Sequence, residues 1–371
     1  MSSKEELERI DKELAKILKA RLKASREVIT SSNNLVSLER ELRYIFDNYF
    51  NDDSRQFADV FYNSVLCVCN SYSYVNDDNN NVIVKKVINA LRETFKSFPD
   101  NEKVVCQGVE GAYSQIAADK LFKVSKLLFA KNFEDVFLAI NNNEARYGVI
   151  PIENSTAGSV TKVYDLMMKY NFSIVRSVRL KVDHNLLVKP GTKISDIKTI
   201  TSHPQAIAQC ASFLSKYPNI NVVPCENTAV AAKKVSESED NSIASISSSS
   251  SASLYKLESL FEAIQDEGNN HTRFICISKE LEIYPGANRT SVMLSIPHKP
   301  GALYNVISYI NSFGTNMTKL ESRPIPNRDF EFMFYFDLET DVYSPNFIKF
   351  LNGLHSMCDT LRYLGSYSEI I

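Results

Sequence analysis

Residues 1–98 carry apolar side chains at the spacing of an amphipathic helix. Leu7, Ile10 and Leu14 lie three or four positions apart, and charged residues fill the positions between them. Glycine and proline, which most often interrupt helices, first occur at Gly108 and Pro99. This pattern predicts an all-α N-terminal domain of four helices, whose apolar stripes would pack as a bundle or a dimer.

The pattern changes over residues 103–279, where short apolar runs alternate with helical stretches. One example is the predicted strand Tyr147–Glu153, which the predicted helix Val160–Tyr170 follows. Another is the strand Lys198–Thr201, which precedes the helix Ala206–Leu214. This alternation predicts α/β layers around a largely parallel sheet, in which ligands bind beyond the carboxyl ends of the strands.

Residues 289–371 follow a third pattern, in which strands and helices occur in the order βαββαβ of a ferredoxin-like α+β fold. Strands are predicted at Ser291–Ile296, Phe330–Phe336 and Tyr363–Tyr367. The first helix should end before Gly314. The second helix should open with Ser344 as its cap and Pro345 as its first residue.

The stretch from Gly148 to Gly158 is where an apolar strand gives way to an acid, an amide and two hydroxyls. Asn154, Ser155 and Thr156 are of the types that cap a helix N-terminus, where unpaired N–H groups and a partial positive charge favour an anion. The pattern therefore predicts a helix start at the floor of a site for an anionic small molecule. A helix cap without any ligand explains the same spacing equally well.

Composition and charge argue against several functional classes. The formal net charge of −2 provides no basic excess for a nucleic-acid surface, and no apolar run reaches the roughly 18–20 residues that span a bilayer. Apart from a C-x-C pair without metal-ligand spacing, the seven cysteines are isolated, so we expect reduced thiols in a cytoplasmic protein. No metal or organic cofactor is expected, because no ligand cluster or dinucleotide-binding glycine fingerprint occurs.

Four motifs within residues 103–279 occur in an order that resembles prephenate dehydratase. They are Gly108-x-x-Gly111-Ala112-Tyr113-Ser114, Gly148-x-x-Pro151-Ile152-Glu153-Asn154-Ser155-x-x-Gly158, Ser202-His203-Pro204-Gln205-Ala206 and Asn270-x-Thr272-Arg273-Phe274. Each residue alone has an ordinary explanation, since Thr272 would suit a surface strand and Arg273 a solvated charge. The joint occurrence of the four motifs makes the resemblance specific.

The resemblance implies a two-lobed α/β catalytic domain, similar to periplasmic binding proteins, that converts prephenate to phenylpyruvate in phenylalanine biosynthesis. Thr272 would be the catalytic residue, a hydrogen-bond donor to the leaving hydroxyl, and would face Asn154 from across the cleft. Arg273 would hold a carboxylate. The other substrate-binding residues that the resemblance implies are Ala112, Tyr113, Ser114, Asn154, Ser155, Thr156, His203, Gln205 and Phe274.

Residues 289–371 resemble the ACT domain that is attached to this family. The resemblance rests on Gly301-Ala302-Leu303-Tyr304 and Glu321-Ser322-Arg323-Pro324, which match its two phenylalanine-binding motifs. It implies that phenylalanine binds between two copies and favours a low-activity state of a homodimer or homotetramer. The implied allosteric residues are Gly301, Ala302, Leu303, Glu321, Ser322 and Arg323.

Residues 1–98 resemble the helical chorismate mutase domain of the bifunctional chorismate mutase/prephenate dehydratases. The matching residues are Arg21, Arg40, Glu41 and Ser64. The lysine expected after Arg21 is missing, and Val68 stands where a glutamine is expected. Because both donors to the ether oxygen are absent, we predict a degenerate domain that is kept for dimerisation or stability.

The sequence therefore predicts three domains, at residues 1–98, 103–279 and 289–371, in a cytoplasmic prephenate dehydratase that phenylalanine regulates. Two alternatives stay open. One is an arogenate dehydratase, whose substrate has an amino group in place of the keto oxygen. The other is a non-catalytic amino-acid-sensing binding protein, since two-lobed α/β domains also bind solutes.

Overall fold

The computed structural model describes residues 3–31, 44, 49–50, 54–74, 81–326 and 331–371. These residues divide into two units. The first unit joins Met1–Asn89 to Arg289–Tyr363, and the second joins Ala90–Asn288 to Leu364–Ile371. The C-terminal segment thus belongs to the second unit, although the residues before it belong to the first.

The N-terminal part of the chain is helical, as its apolar spacing predicts. The structure describes α1 (Ser3–Ser31), α2 (Arg55–Tyr74) and α3 (Val82–Glu93). α1 packs against α2, yet four residues of its apolar stripe are 42% to 65% exposed, namely Leu7, Ile10, Leu14 and Ile17. One of the four helices predicted for residues 1–98, around Leu42, Ile45 and Phe46, falls on residues outside the described ranges. None of the described helices is both long and apolar enough to span a membrane.

The second unit contains two lobes, each built on its own β-sheet. The first lobe begins with β1 (Asn101–Gln107), α4 (Tyr113–Leu121), β2 (Val124–Ala130), α5 (Phe133–Asn141), β3 (Tyr147–Asn154), β4 (Gly158–Ser159), α6 (Thr161–Lys169) and β5 (Ser173–Lys181). The second lobe consists of β6 (Asn185–Val188), a 3₁₀ turn (Ile194–Asp196), β7 (Thr199–Ser202), α7 (Pro204–Ala208), α8 (Ala211–Leu214), β8 (Asn221–Pro224), α9 (Thr228–Glu237), β9 (Ile243–Ser247), α10 (Ser249–Tyr255) and β10 (Glu258–Phe261). The chain then returns to the first lobe as β11 (His271–Ser278).

Residues 289–367 have the predicted order βαββαβ. The elements are β12 (Arg289–Ser295), α11 (Ala302–Ser312), β13 (Asn316–Pro324), β14 (Phe332–Glu339), α12 (Phe347–Ser356) and β15 (Thr360–Tyr367), and β16 (Glu369–Ile370) follows. The strand order β13-β14-β12-β15 is the ferredoxin-like arrangement. α11 ends before Gly314, as predicted. α12 begins two residues later than predicted because Ser344 Oγ accepts from the Asn346 N–H in a turn ahead of the helix, which leaves Asn346 at the cap position.

The sheet of the first lobe has strand order β16-β5-β11-β3-β1-β2, with β4 beside β3. β1 is parallel to β2 and β3, whereas β11 runs antiparallel to both β3 and β5. The sheet is therefore mixed and not largely parallel, since the chain re-enters the lobe through β11 in the opposite direction. In the second lobe the order is β10-β6-β9-β7-β8, and β7 is parallel to β8 and β9.

Apolar strand residues fill the two lobes separately. Val149 and Phe274 belong to the core of the first lobe, and Leu186 and Ile246 belong to the core of the second. Phe274, a predicted substrate-binding residue, is only 2% exposed in this core. Its ring packs inside the core and is not exposed for contact with a substrate, contrary to the prediction.

The segment after β3 differs from its prediction. Asn154 is the last residue of β3, and a tight turn leads to the two-residue strand β4. The helix α6 begins only at Thr161, with Val160 at its cap position. Asn154, Ser155 and Thr156 therefore form a hairpin turn and not a helix N-terminus.

Candidate active site

Asn154 occupies the end of β3, where hydrogen bonds hold its side chain from two sides. Its Oδ1 accepts from the backbone N–H groups of Thr156 (3.0 Å) and Ala157 (2.8 Å), which is how an Asx turn is formed. This fixes the amide so that Nδ2 points to the neighbouring strand. Nδ2 donates to Asn270 Oδ1 at 2.7 Å and to Thr272 Oγ1 at 2.9 Å.

Thr272 lies on β11 directly opposite Asn154 on β3. The expectation that it faces Asn154 from across a cleft is wrong, because the two strands are neighbours in one sheet. Since the Thr272 oxygen accepts from Asn154, its own O–H is directed elsewhere. No acceptor for that O–H lies within hydrogen-bond distance among the residues that the structure describes. Thr272 can therefore accept from Asn154 and donate its proton to another group at the same time.

An amide chain connects this pair to the second lobe. Asn270 Nδ2 donates to Gln209 Oε1 at 3.2 Å, and His184 Nε2 lies 2.9 Å from the same oxygen. Because Gln209 Oε1 is the acceptor in both contacts, His184 carries its proton on Nε2. Burial lowers the pKa of His184. This series of hydrogen bonds runs from Asn154 to His184, which lies in the segment where the polypeptide crosses between the lobes.

Sequence reasoning missed Gln209 and His184 as site residues. Asn270 belongs to one of the four motifs, and the motif itself could have pointed to it. Gln209 and His184 stand alone in the sequence, and no spacing relates them to Thr272. Gln209 and His184 come together with Asn270 only because the two lobes pack against each other in the folded chain.

The first turn of α4 lies at the same edge of the sheet as Asn154. β1 and β3 are parallel neighbours, so their carboxyl ends meet at this edge. Tyr113 OH donates to Asp183 O at 2.7 Å, and Ser251 Oγ donates to Gly111 O at 3.2 Å, which ties the turn to the second lobe. Burial raises the pKa of Tyr113, which therefore stays a neutral donor. Ala112 and Ser114 are buried at this helix start, where backbone N–H groups favour an anion.

His203 and Gln205 lie at the carboxyl end of β7 in the second lobe. His203 Nδ1 accepts from the Gln205 N–H at 3.2 Å and so caps α7. Burial lowers the pKa of His203, which keeps the ring neutral at neutral pH. The Gln205 side chain is exposed. Both residues therefore remain available to a ligand at this edge.

Ser155 and Thr156 are exposed in the turn after Asn154. Ser155 Oγ donates to Asn269 O at 3.0 Å and accepts from the His271 N–H at 2.9 Å. Ser155 therefore ties the turn to the residues that lead into β11.

The structure places Arg273 away from Thr272. Neighbouring residues of a strand point to opposite faces, so Arg273 lies on the other face of β11. There NH1 lies 3.2 Å from Glu153 Oε1, Nε lies 3.0 Å from Glu369 Oε2, and NH2 donates to Tyr367 OH at 2.8 Å. The side chain is 6% exposed. Arg273 is a member of a buried ion-pair cluster, which corrects the expectation that it holds a substrate carboxylate.

Comparison with known proteins identifies the family. Residues 104–282 match the sequence model described as prephenate dehydratase. Over 277 residues the chain is 35% identical to the chloroplastic arogenate dehydratase/prephenate dehydratase 2 of Arabidopsis thaliana, which covers 71% of this chain and 72% of that protein. The chain belongs to the prephenate dehydratase family.

Two further members of the prephenate dehydratase family extend the comparison. A bifunctional chorismate mutase/prephenate dehydratase of Buchnera aphidicola is 27% identical over 98% of this chain and 95% of its own length. The crystal structure of the Arthrobacter aurescens prephenate dehydratase in complex with L-Phe has a TM-score of 0.66 and 29% identity, and covers 72% of this chain and 89% of that one.

In this member of the prephenate dehydratase family, the predicted phenylalanine-binding residues lie in two places. Gly301 precedes α11, whose first residues are Ala302 and Leu303, and all three line a cavity of about 280 Å³. Glu321, Ser322 and Arg323 lie on β13, the edge strand of the sheet, and do not line that cavity. Among the described residues, the second motif is therefore not part of the cavity that the first motif lines.

The predicted mutase-like residues are described in part. Arg21 and Ser25 hydrogen-bond to each other along α1. Ser64 Oγ donates to Val60 O at 2.8 Å within α2. These bonds stay within single helices. Arg40 and Glu41 lie outside the described residues.

Proposed function

We propose that this family member is a prephenate dehydratase, which converts prephenate to phenylpyruvate with water and carbon dioxide as the other products. The observation that carries the proposal is the Thr272 hydroxyl, which accepts a hydrogen bond from Asn154 and whose proton has no acceptor within hydrogen-bond distance among the described residues. Membership of the family supports the same reaction.

The reaction expels a ring hydroxyl while a ring carboxylate leaves as carbon dioxide. The electron pair of the breaking carbon–carboxylate bond enters the ring, which becomes aromatic as the carbon–oxygen bond breaks. Hydroxide is a poor leaving group, so a donor must stabilise the charge that develops on its oxygen. In our proposal the Thr272 O–H supplies this hydrogen bond, and the departing group takes up a proton to leave as water.

Asn154 contributes by orienting the catalytic hydroxyl. Two backbone N–H groups donate to its Oδ1 and fix the amide, and its Nδ2 donates to the Thr272 oxygen. The Thr272 donor is therefore directed before the substrate binds. A preorganised donor requires no rearrangement at the moment of reaction.

The two carboxylates of prephenate need partners other than Arg273. We assign them to the N–H groups and the Ser114 hydroxyl at the start of α4, together with His203 and Gln205 at the start of α7. These groups lie at the carboxyl edges of the two sheets, where helix N-termini favour anions. They are neutral, so this assignment predicts binding that depends on hydrogen-bond geometry.

The test is product formation by the purified full chain. Phenylpyruvate from prephenate, at a higher kcat/KM than phenylalanine from arogenate, supports the proposal. The reverse preference supports the arogenate dehydratase alternative, which the name of the Arabidopsis relative also includes. Binding of either compound without turnover would make the chain a sensing protein.

We also propose that phenylalanine inhibits the enzyme by binding to residues 289–371, acting as an ACT domain. Two features support this: Glu321, Ser322 and Arg323 do not line the cavity at Gly301, which is compatible with a site shared between two copies, and the Arthrobacter relative was solved in complex with L-Phe. Phenylalanine must then bind a low-activity state more tightly than the active state. Unchanged activity across millimolar phenylalanine would refute this regulation.

For the N-terminal helices we propose a role in joining copies of the chain, without chorismate mutase activity. The support is the exposed apolar stripe of α1, which a second copy could cover. Replacing Leu7 and Leu14 by Glu should then lower the oligomeric state measured by sedimentation. Turnover of chorismate by the full chain would show that mutase activity is retained.

A further inference from the structure

Two arginines lie side by side on the face of the first-lobe sheet that carries Arg273, which we call the closed face because Arg273 is 6% exposed there. Arg273 on β11 pairs directly with Arg179 on β5, and Glu153 on β3 lies on the other side of Arg273. Like charges directly opposite each other on neighbouring strands are destabilising. A second carboxylate is needed to balance the two guanidinium groups.

Glu369 on β16 provides this second carboxylate. Its Oε1 lies 2.9 Å from Arg179 NH2, and its Oε2 lies 3.0 Å from Arg273 Nε, the latter contact being an ion pair without hydrogen-bond geometry. Glu369 is 4% exposed and Arg179 is 42% exposed. Two arginines and two carboxylates thus form a neutral cluster, and its centre at Arg273 is shielded from water.

The backbone of the C-terminal segment is held on the same lobe. β16 pairs with β5 in parallel, and the Ser177 N–H donates to Ser368 O at 3.1 Å. Gly365 approaches β5 so closely that an added Cβ would lie 2.2 Å from Ile174 O. The segment is therefore an integral part of this sheet.

We propose that Glu369 is a positioning residue for the dehydratase reaction, acting through Arg273 on the strand that carries Thr272. Arg273 follows Thr272 directly, and a β-bulge interrupts the pairing with β3 just after Arg273. Bulges next to active sites re-aim side chains, so the geometry at this point depends on what holds Arg273. This inference rests on the proposed function of Thr272.

The test compares prephenate turnover by the full chain and by Glu369→Gln, at a temperature where circular dichroism shows both to be folded. The substitution keeps the size of the side chain but leaves two arginines with one carboxylate. We expect kcat to fall by about tenfold to a hundredfold while KM stays within about threefold, since a misplacement of about 1 Å can cost about a hundredfold.

Two further variants separate positioning from a general loss of stability. Arg179→Gln combined with Glu369→Gln restores charge balance around Arg273, and should regain most of the lost kcat. Glu369→Asp keeps the charge on a shorter side chain and should show an intermediate kcat, and it serves if Glu369→Gln does not fold. The matched control is Glu134→Gln, which removes an ion pair with Lys169 in the same lobe and should leave kcat unchanged.

Three results would overturn the proposal: wild-type kcat in Glu369→Gln, a loss confined to KM, or an equal loss of kcat in Glu134→Gln. Failure of the proposed function looks different. In that case the wild-type chain itself forms no phenylpyruvate from prephenate, and Thr272→Val changes nothing.

Discussion

The two faces of β11 show how adjacent residues of one motif come to have different roles. On one face Thr272 meets Asn154, among neutral donors and acceptors that lead to the second lobe. On the other face Arg273 meets Glu153 and Glu369, where the charges are balanced and closed off. The alternation of side chains along a strand imposes this division. In our proposal the motif therefore provides the catalytic hydroxyl on one face, while its arginine forms the buried ion-pair cluster on the other.

The largest effect is expected from the closed face. Arg273→Gln should lower the free energy of unfolding by about 3–5 kcal/mol, because it leaves the buried Glu369 with only the half-exposed Arg179 as a partner. KM for prephenate should stay within about threefold. Denaturant unfolding and steady-state kinetics measure the two quantities.

The control for this variant is Arg179→Gln, which removes the half-exposed partner of Glu369. Arg179 is 42% exposed, and its loss leaves Glu369 paired with Arg273, so the loss of stability should be smaller than for Arg273→Gln. A large rise in KM for Arg273→Gln, with little change in stability, would place Arg273 in the substrate site. It would contradict the conclusion that the two faces of β11 have different roles.

The next largest effect is expected on kcat, for substitutions of Thr272 on the other face of β11. Thr272→Val keeps the shape of the side chain and removes its donor, so kcat should fall about 10²–10³-fold, as for other single donors to a developing oxyanion. Thr272→Ser keeps the donor and should retain most of the activity. Single-turnover kinetics with prephenate separate the chemical step from product release, and a Thr272→Val enzyme with normal kcat would exclude the proposed role.

Asn154→Ala should have a smaller effect on stability than Arg273→Gln and a smaller effect on kcat than Thr272→Val. It removes the acceptor of the Asx turn and the donor to Thr272, which should lower stability by about 1–3 kcal/mol and kcat by about tenfold. The matched control is Asn132→Ala, whose side chain caps α5 in the same lobe. Losing this cap should lower stability by about 1 kcal/mol and leave kcat unchanged; similar kcat losses in both variants would contradict the orienting role.

The smallest effect concerns pH and His184 at the end of the amide chain. Because burial lowers the pKa of His184 in the folded protein, the unfolded chain takes up this proton first as the pH falls. The stability that neutral His184 contributes is therefore fully present above its ordinary pKa of 6.5. It is lost as the pH falls below that value, by at most about 1.4 kcal/mol per pH unit. Melting temperatures between pH 7 and pH 5 should therefore fall less steeply in His184→Gln, and identical slopes would show that His184 does not titrate as described.

Some of these features could be predicted from the sequence and others could not. The strand before Asn154, the order βαββαβ and the placement of motif residues at strand ends followed from local periodicity and turn chemistry. The hairpin at Asn154 did not, because the same residue types cap a helix or close an Asx turn. The closed position of Arg273 depends on Glu369, which belongs to none of the four motifs.

The sequence by itself determined the family and the order of the elements, and it pointed to Thr272 as the catalytic hydroxyl that we propose, since motifs and apolar spacing are local properties of the chain. Only the tertiary structure decided that β11 enters the sheet between β3 and β5, which brings Thr272 to Asn154 across 118 positions. The pairing of β16 with β5 likewise turned Arg273 from a candidate ligand into a buried support. Strand order and register arise from contacts between distant residues, and local patterns do not specify them.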